Sequence, residues 1–164
     1  MQYEAGRQAP KAATAAPAKA PVQAGLTALS IALALTLGGC SSIEPGPQAG
    51  TAACSALLKR LPERVLNRSR TDLDVAGAAA WGDPAIVLRC GVPPTGPTDD
   101  PCLEVEGLDW TFTETEDDFR FITYGRNPAV DVQLPTSMDR TAASAALVDL
   151  APAVAPLPVT SRCL

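Results

Sequence analysis

The chain has 164 residues, a net charge of −5 and no histidine. The lack of histidine removes Ser-His and Cys-His nucleophilic systems, imidazole metal ligands and the commonest general base. From Cys40 onward ten Lys and Arg stand against 17 Asp and Glu, a net −7, which disfavours nucleic acid and anionic membrane surfaces as general partners.

The first element is an export signal. Arg7, Lys11 and Lys19 against the single acid Glu4 form a positively charged leader, followed by an uncharged apolar run over 26–37. That run is short of the roughly 20 residues a membrane-spanning helix needs, so cleavage is expected rather than a permanent span. Leu37-Gly38-Gly39-Cys40 resembles the lipobox of bacterial lipoproteins. The expected organisation is a signal peptide over 1–39, a lipidated Cys40 with a flexible Gly/Pro/Ser-rich tether over 40–52, and one globular domain over 53–164. Two acyl chains on Cys40 would anchor the domain at the outer face of the cytoplasmic membrane. The roughly 125 residues left suffice for one core.

Four cysteines remain, Cys54, Cys90, Cys102 and Cys163, an even number that in an exported small domain reads as two disulfides. Three pairings exist; closeness across a turn-rich loop favours Cys90 with Cys102, and elimination then leaves Cys54 with Cys163. No Cys-x-x-Cys pair is present, and no metal site or cofactor is expected.

Cys54, Leu57, Leu58 and Leu61 fall at i, i+3, i+4, i+7, an amphipathic helix stopped by Pro62. The basic stretch beyond it, Lys59, Arg60, Arg64, Arg68 and Arg70, could receive phosphate or carboxylate groups. The segment 71–80 has no clear period. Ile86, Val87 and Leu88 follow a Gly-Asp-Pro turn as a strand buried on both faces, with Arg89 near its exit. Residues 91–101 hold too many prolines and glycines for regular structure.

Leu108, Trp110 and Phe112 alternate with Asp109, Thr111 and Thr113, and Phe119 and Phe121 with Arg120 and Ile122, so the two runs read as an antiparallel hairpin. Val130, Val132 and Leu134 against Asp131 and Gln133 give a third half-buried strand. Ser137 is the expected N-cap of a helix over about 138–150, with Ala143, Ala146, Leu147 and Leu150 as its apolar stripe and Pro152 beyond its end. The resulting expectation is an α+β domain: a small antiparallel or mixed sheet of about four strands, a helix from each end, and two disulfides.

The Trp81 to Gly91 block WGDPAIVLRCG, Gly107-Leu108-Asp109-Trp110, Tyr124-Gly125-Arg126 and the strand over 130–135 together resemble an uncharacterised lipoprotein family of high-GC Gram-positive bacteria. The resemblance covers roughly 54–150. It implies an envelope lipoprotein, and carries no activity, substrate or catalytic residue.

Ser55 and Lys59 miss the Ser-x-x-Lys spacing by one residue. Asp83, Glu104, Glu106 and Asp109 are carboxylates near expected strands, and two of them could flank a glycosidic bond. Trp81, Asp83, Arg89 and Arg126 are the candidate binding surface, with Trp81 as an indole platform. The expected function is therefore a non-enzymatic binding or interaction domain with an envelope protein or glycopolymer as partner. The alternative is a carboxylate-dependent enzyme acting on cell-wall material.

Overall fold

The computed structural model describes residues 43–83 and 85–163. The expected export signal and Cys40 lie outside the described residues. The elements run α1 (Ala52–Arg60), β1 (Arg64–Val65), β2 (Arg68–Thr71), β3 (Ala78–Trp81), β4 (Ile86–Val92), β5 (Cys102–Val105), β6 (Leu108–Glu114), β7 (Asp118–Thr123), β8 (Ala129–Pro135) and α2 (Arg140–Val154).

All eight strands form one antiparallel sheet in the order β1-β2-β3-β4-β8-β7-β6-β5. This overturns the expected four-stranded α+β fold: the domain is mostly β, with the sheet twice as wide. The four expected strands are present as β4, β6, β7 and β8. The additions are β1, β2, β3 and β5, each of two to four residues. Too short or too uniform to show an alternation, they are defined by the strands they pair with. β3 is AAAW, and its four residues are all buried.

Alternation sends every second residue of the long strands to one layer. Ile86, Leu88 and Cys90 of β4, Val130, Val132 and Leu134 of β8, Phe119 and Phe121 of β7, and Leu108 and Trp110 of β6 belong to one core cluster. Both helices join it, α1 through Cys54 and Leu57 and α2 through Ala143, Ala146, Leu147, Leu150 and Val154. Each fully buried Leu or Phe contributes about 1.5–3 kcal/mol relative to exposure. The helices therefore cover one face of the sheet and leave the other to the alternate residues.

Local chemistry closes the ends. Thr51 caps α1 by accepting from Cys54 N, and Asp139, not Ser137, caps α2 by accepting from Ala142 N at 2.9 Å. Pro152 lies within the last turn of α2 rather than beyond it. It is exposed, as is Val148 one turn earlier, so the bond lost there lies on the outward side. The β1–β2 and β5–β6 hairpins turn on Leu66-Asn67 and Glu106-Gly107, both pairs at positive φ as a type I′ turn requires.

Two disulfides are present, with pairings that differ from those expected. Cys54 is joined to Cys90, tying α1 to the middle of the sheet, and Cys102 to Cys163, tying edge strand β5 to the C-terminal segment. Cys90 belongs to β4 and points into the core, where Cys54 of α1 meets it; Cys102 lies across the proline-rich loop on another part of the sheet.

The segment expected as a free tether is packed on the domain from Gly46 onward. Gly46 and Ala49 are buried, Gln48 N donates to Gly91 O at 2.9 Å, and Arg89 Nη1 donates to Glu44 O at 3.4 Å. The crossing is glycine on glycine: a Cβ at Gly46 would lie 2.5 Å from the Gly91 carbonyl carbon, and one at Gly91, where φ is +92°, would lie 2.3 Å from Ala49 N. At the other end of the chain, Arg126 Nη1 donates to Ala155 O and Leu157 O, and Thr160 N to Gly125 O at 2.8 Å.

Candidate functional site: the open face of the sheet

The face of the sheet away from the helices carries Val87 and Arg89 from β4, Asp131 and Gln133 from β8, Arg120 and Ile122 from β7, and Thr111 and Thr113 from β6. Register sets their arrangement. Arg89, Asp131, Ile122 and Thr111 form one cross-strand row, and Val87, Gln133, Arg120 and Thr113 the next. At its centre Asp131 is 0% exposed, an arrangement that costs several kcal/mol unless the charge is paired and hydrogen-bonded.

Asp131 is fully engaged. Arg120 grips it with Nε on Oδ1 and Nη2 on Oδ2, each at 3.0 Å, Arg89 Nη2 bonds Oδ2, and Gln133 Nε2 donates to Oδ2 at 3.1 Å. One carboxylate thus holds two guanidinium groups, and the cluster carries one net positive charge. The arginine side chains retain 21% and 38% of their exposure. Arg120 spends Nε and Nη2 on Asp131, and its side chain is the more exposed of the two. Arg89 Nε is buried without a hydrogen-bond partner among the described residues. Two guanidinium groups are thus fixed in position by one buried acid.

Beside the cluster, two strands along the same row, a hollow of about 460 Å³ is lined by Pro97, Thr98, Asp100, Thr111, Tyr124 and the Cys102–Cys163 disulfide. A second hollow of about 370 Å³ lies among Leu58, Lys59, Glu63, Arg70 and Asp72. Its two cations face two acids, and Arg70 already contacts Leu58 O and Asp72, so the basic stretch over 59–70 forms no net positive site there.

The four residues of the expected binding surface are not brought together. Arg89 is in the cluster described above. Trp81 is 0% exposed on the core side of β3, its indole N–H donating to Pro62 O at 2.9 Å, so it cannot serve as a platform. Asp83 stands exposed in the β3–β4 turn. Arg126 is buried and holds the C-terminal segment; burial lowers its pKa, Arg162 lowers it further, and Asp109 partly offsets them. Two residues that complete the cluster, Arg120 and Asp131, were legible only as polar positions of alternating strands. An acid in an otherwise apolar strand is the signal that could have marked them.

Two of the four candidate catalytic carboxylates, Glu104 and Asp109, have structural partners. Glu104 and Asp109 are cross-strand neighbours on β5 and β6; Glu104 accepts from Gly107 N, and Asp109 accepts from Cys163 N and faces Arg162 at 3.7 Å. Glu106 is in the β5–β6 turn. Among the described residues no group of three or more His, Cys, Asp or Glu is placed to hold a metal, and no helix is long and apolar enough to cross a membrane.

Fold and site together define a two-layer domain, helices on one face of a wide antiparallel sheet and an arginine-rich polar cluster on the other, closed by two disulfides. Residues 39–161 match the family described as "Protein of unknown function (DUF3515)", and the chain belongs to that family. No curated protein and no solved structure matches it.

Proposed function

We propose that this chain is a lipid-anchored, non-enzymatic recognition domain at the outer face of the cytoplasmic membrane, and that its open sheet face receives an anionic group, phosphate or carboxylate, of an envelope component. The observation that carries the reading is one buried carboxylate, Asp131, holding both Arg89 and Arg120 while the Arg120 side chain stays 38% exposed. Buried, the acid fixes the guanidinium positions before any ligand arrives, which lowers the ordering cost of binding. Anchoring rests on the Leu37-Gly38-Gly39-Cys40 motif and its apolar leader.

The test is thermal unfolding of the oxidised chain with phosphate-bearing and carboxylate-bearing envelope fractions. A ligand of the folded state adds about 2.7 kcal/mol at a hundredfold excess over its dissociation constant. The expected result is an upward shift with at least one fraction that Arg120→Gln removes. A shift that survives Arg120→Gln places the ligand elsewhere, and no shift with any fraction rejects the anion-receptor reading.

A further inference from the structure

The docked segment over 43–50 shortens the leash between lipid and domain. Gly46 is seated on Gly91, and the carbonyl of Glu44 is bonded to Arg89, a member of the anion cluster. From Cys40 to Gly46 the chain spans six residues, which fully extended reach about 20 Å. A tether free as far as residue 52 would reach about twice that. The domain itself, roughly 120 residues, has a radius of gyration of about 14 Å and is roughly 35 Å across. A leash shorter than the body it holds cannot let that body turn its attachment point away from the bilayer.

We infer that the open sheet face lies against the bilayer and that the Arg89–Asp131–Arg120 cluster takes the phosphate of a lipid headgroup. The inference rests on the proposal that Cys40 is lipidated. The described chain nearest the attachment point is joined to the cluster by the Arg89–Glu44 bond, so the face brought to the membrane is the one on which the Arg120 side chain keeps 38% of its exposure. The net acidity of the chain does not oppose this, because charges farther than about 8 Å are screened at physiological salt while the cluster acts at contact. Phosphate recognition by a forked guanidinium needs no net charge on the lipid, so a zwitterionic phospholipid is a sufficient ligand.

The test uses the full mature chain purified from membranes and placed on supported bilayers, with the gap between headgroups and protein read by neutron reflectometry. One variant carries ten Gly and Ser residues inserted between Ser42 and Ile43, which leaves the docked segment intact. Two lipids are compared: phosphatidylcholine and a phosphate-free galactosyl diacylglycerol. The native chain is expected within about 20 Å of both. The lengthened chain is expected to stay in contact on phosphatidylcholine and to lift off on the galactolipid. Equal separation of the lengthened chain on both lipids, or equal contact on both, overturns phosphate recognition. A gap wider than the leash for the native chain overturns the docked geometry. Mass analysis of the N-terminal peptide separates the two levels: an unmodified Cys40 rejects the anchoring proposal, whereas a lipidated Cys40 with a failed bilayer contact rejects this inference alone.

Discussion

Arg89 on β4 and Asp131 on β8 stand directly opposite one another in the sheet and form an ion pair in which the acid has no exposed surface. Removing the negative partner leaves two guanidinium groups facing each other across a space built for a carboxylate. Asp131→Asn is expected to destabilise the domain by about 3 kcal/mol, the low end for a broken buried pair because both arginines keep some water. Urea unfolding of the two oxidised proteins measures it. A change below about 0.5 kcal/mol, the scale of ordinary surface substitutions, would mean that the cluster does not organise the face.

Gly91 is required by both its conformation and its neighbour. Its φ of +92° and the 2.3 Å approach of Ala49 N to a Cβ leave no room for a side chain. Gly91→Ala should lower stability by at least about 1–3 kcal/mol and release the 43–50 segment to proteolysis. Gly50, whose Cβ would meet nothing within 4 Å, is the control, and Gly50→Ala should leave both stability and protection near wild type.

The two tryptophans are buried equally and satisfied unequally. Trp81 donates to Pro62 O, whereas Trp110 Nε1 has no partner among the described residues. Each Trp→Phe change loses apolar volume, and only Trp81→Phe also removes a hydrogen bond, the one to the half-buried Pro62 carbonyl. Trp81→Phe is expected to cost about 1–2 kcal/mol more than Trp110→Phe, read from paired denaturation curves.

Peptide mapping of the unreduced protein should recover Cys54 linked to Cys90 and Cys102 linked to Cys163. With partners 36 and 61 positions apart, each bridge constrains the unfolded chain by about 4 kcal/mol on the chain-entropy estimate. Cys102 is exposed while Cys54 and Cys90 are buried, so mild reductant should open the Cys102–Cys163 bridge first. Replacing Cys102 and Cys163 by Ser should lower stability by about that amount while leaving the Cys54–Cys90 bridge formed.

Residue periodicity alone determined much of the helix-facing layer. Leu108 with Trp110, Phe119 with Phe121, and Val130 with Val132 and Leu134 share a face because a strand has a period of two. Cys54, Leu57 and Leu61 pack together because a helix has a period near four. The motif ending at Cys40 and the absence of histidine are likewise properties of the linear chain. Only the tertiary structure decided the width of the sheet, the disulfide pairing and the site. A strand such as Arg64–Val65 has too few residues to show a period and exists through its partner across the turn. Cys54 meets Cys90 because α1 folds back over β4, a long-range contact that sequence separation does not encode. Asp131 becomes the centre of an ion-pair cluster because strands β4, β8 and β7, drawn from three separate stretches of chain, are set side by side with Arg89 and Arg120 on the same face.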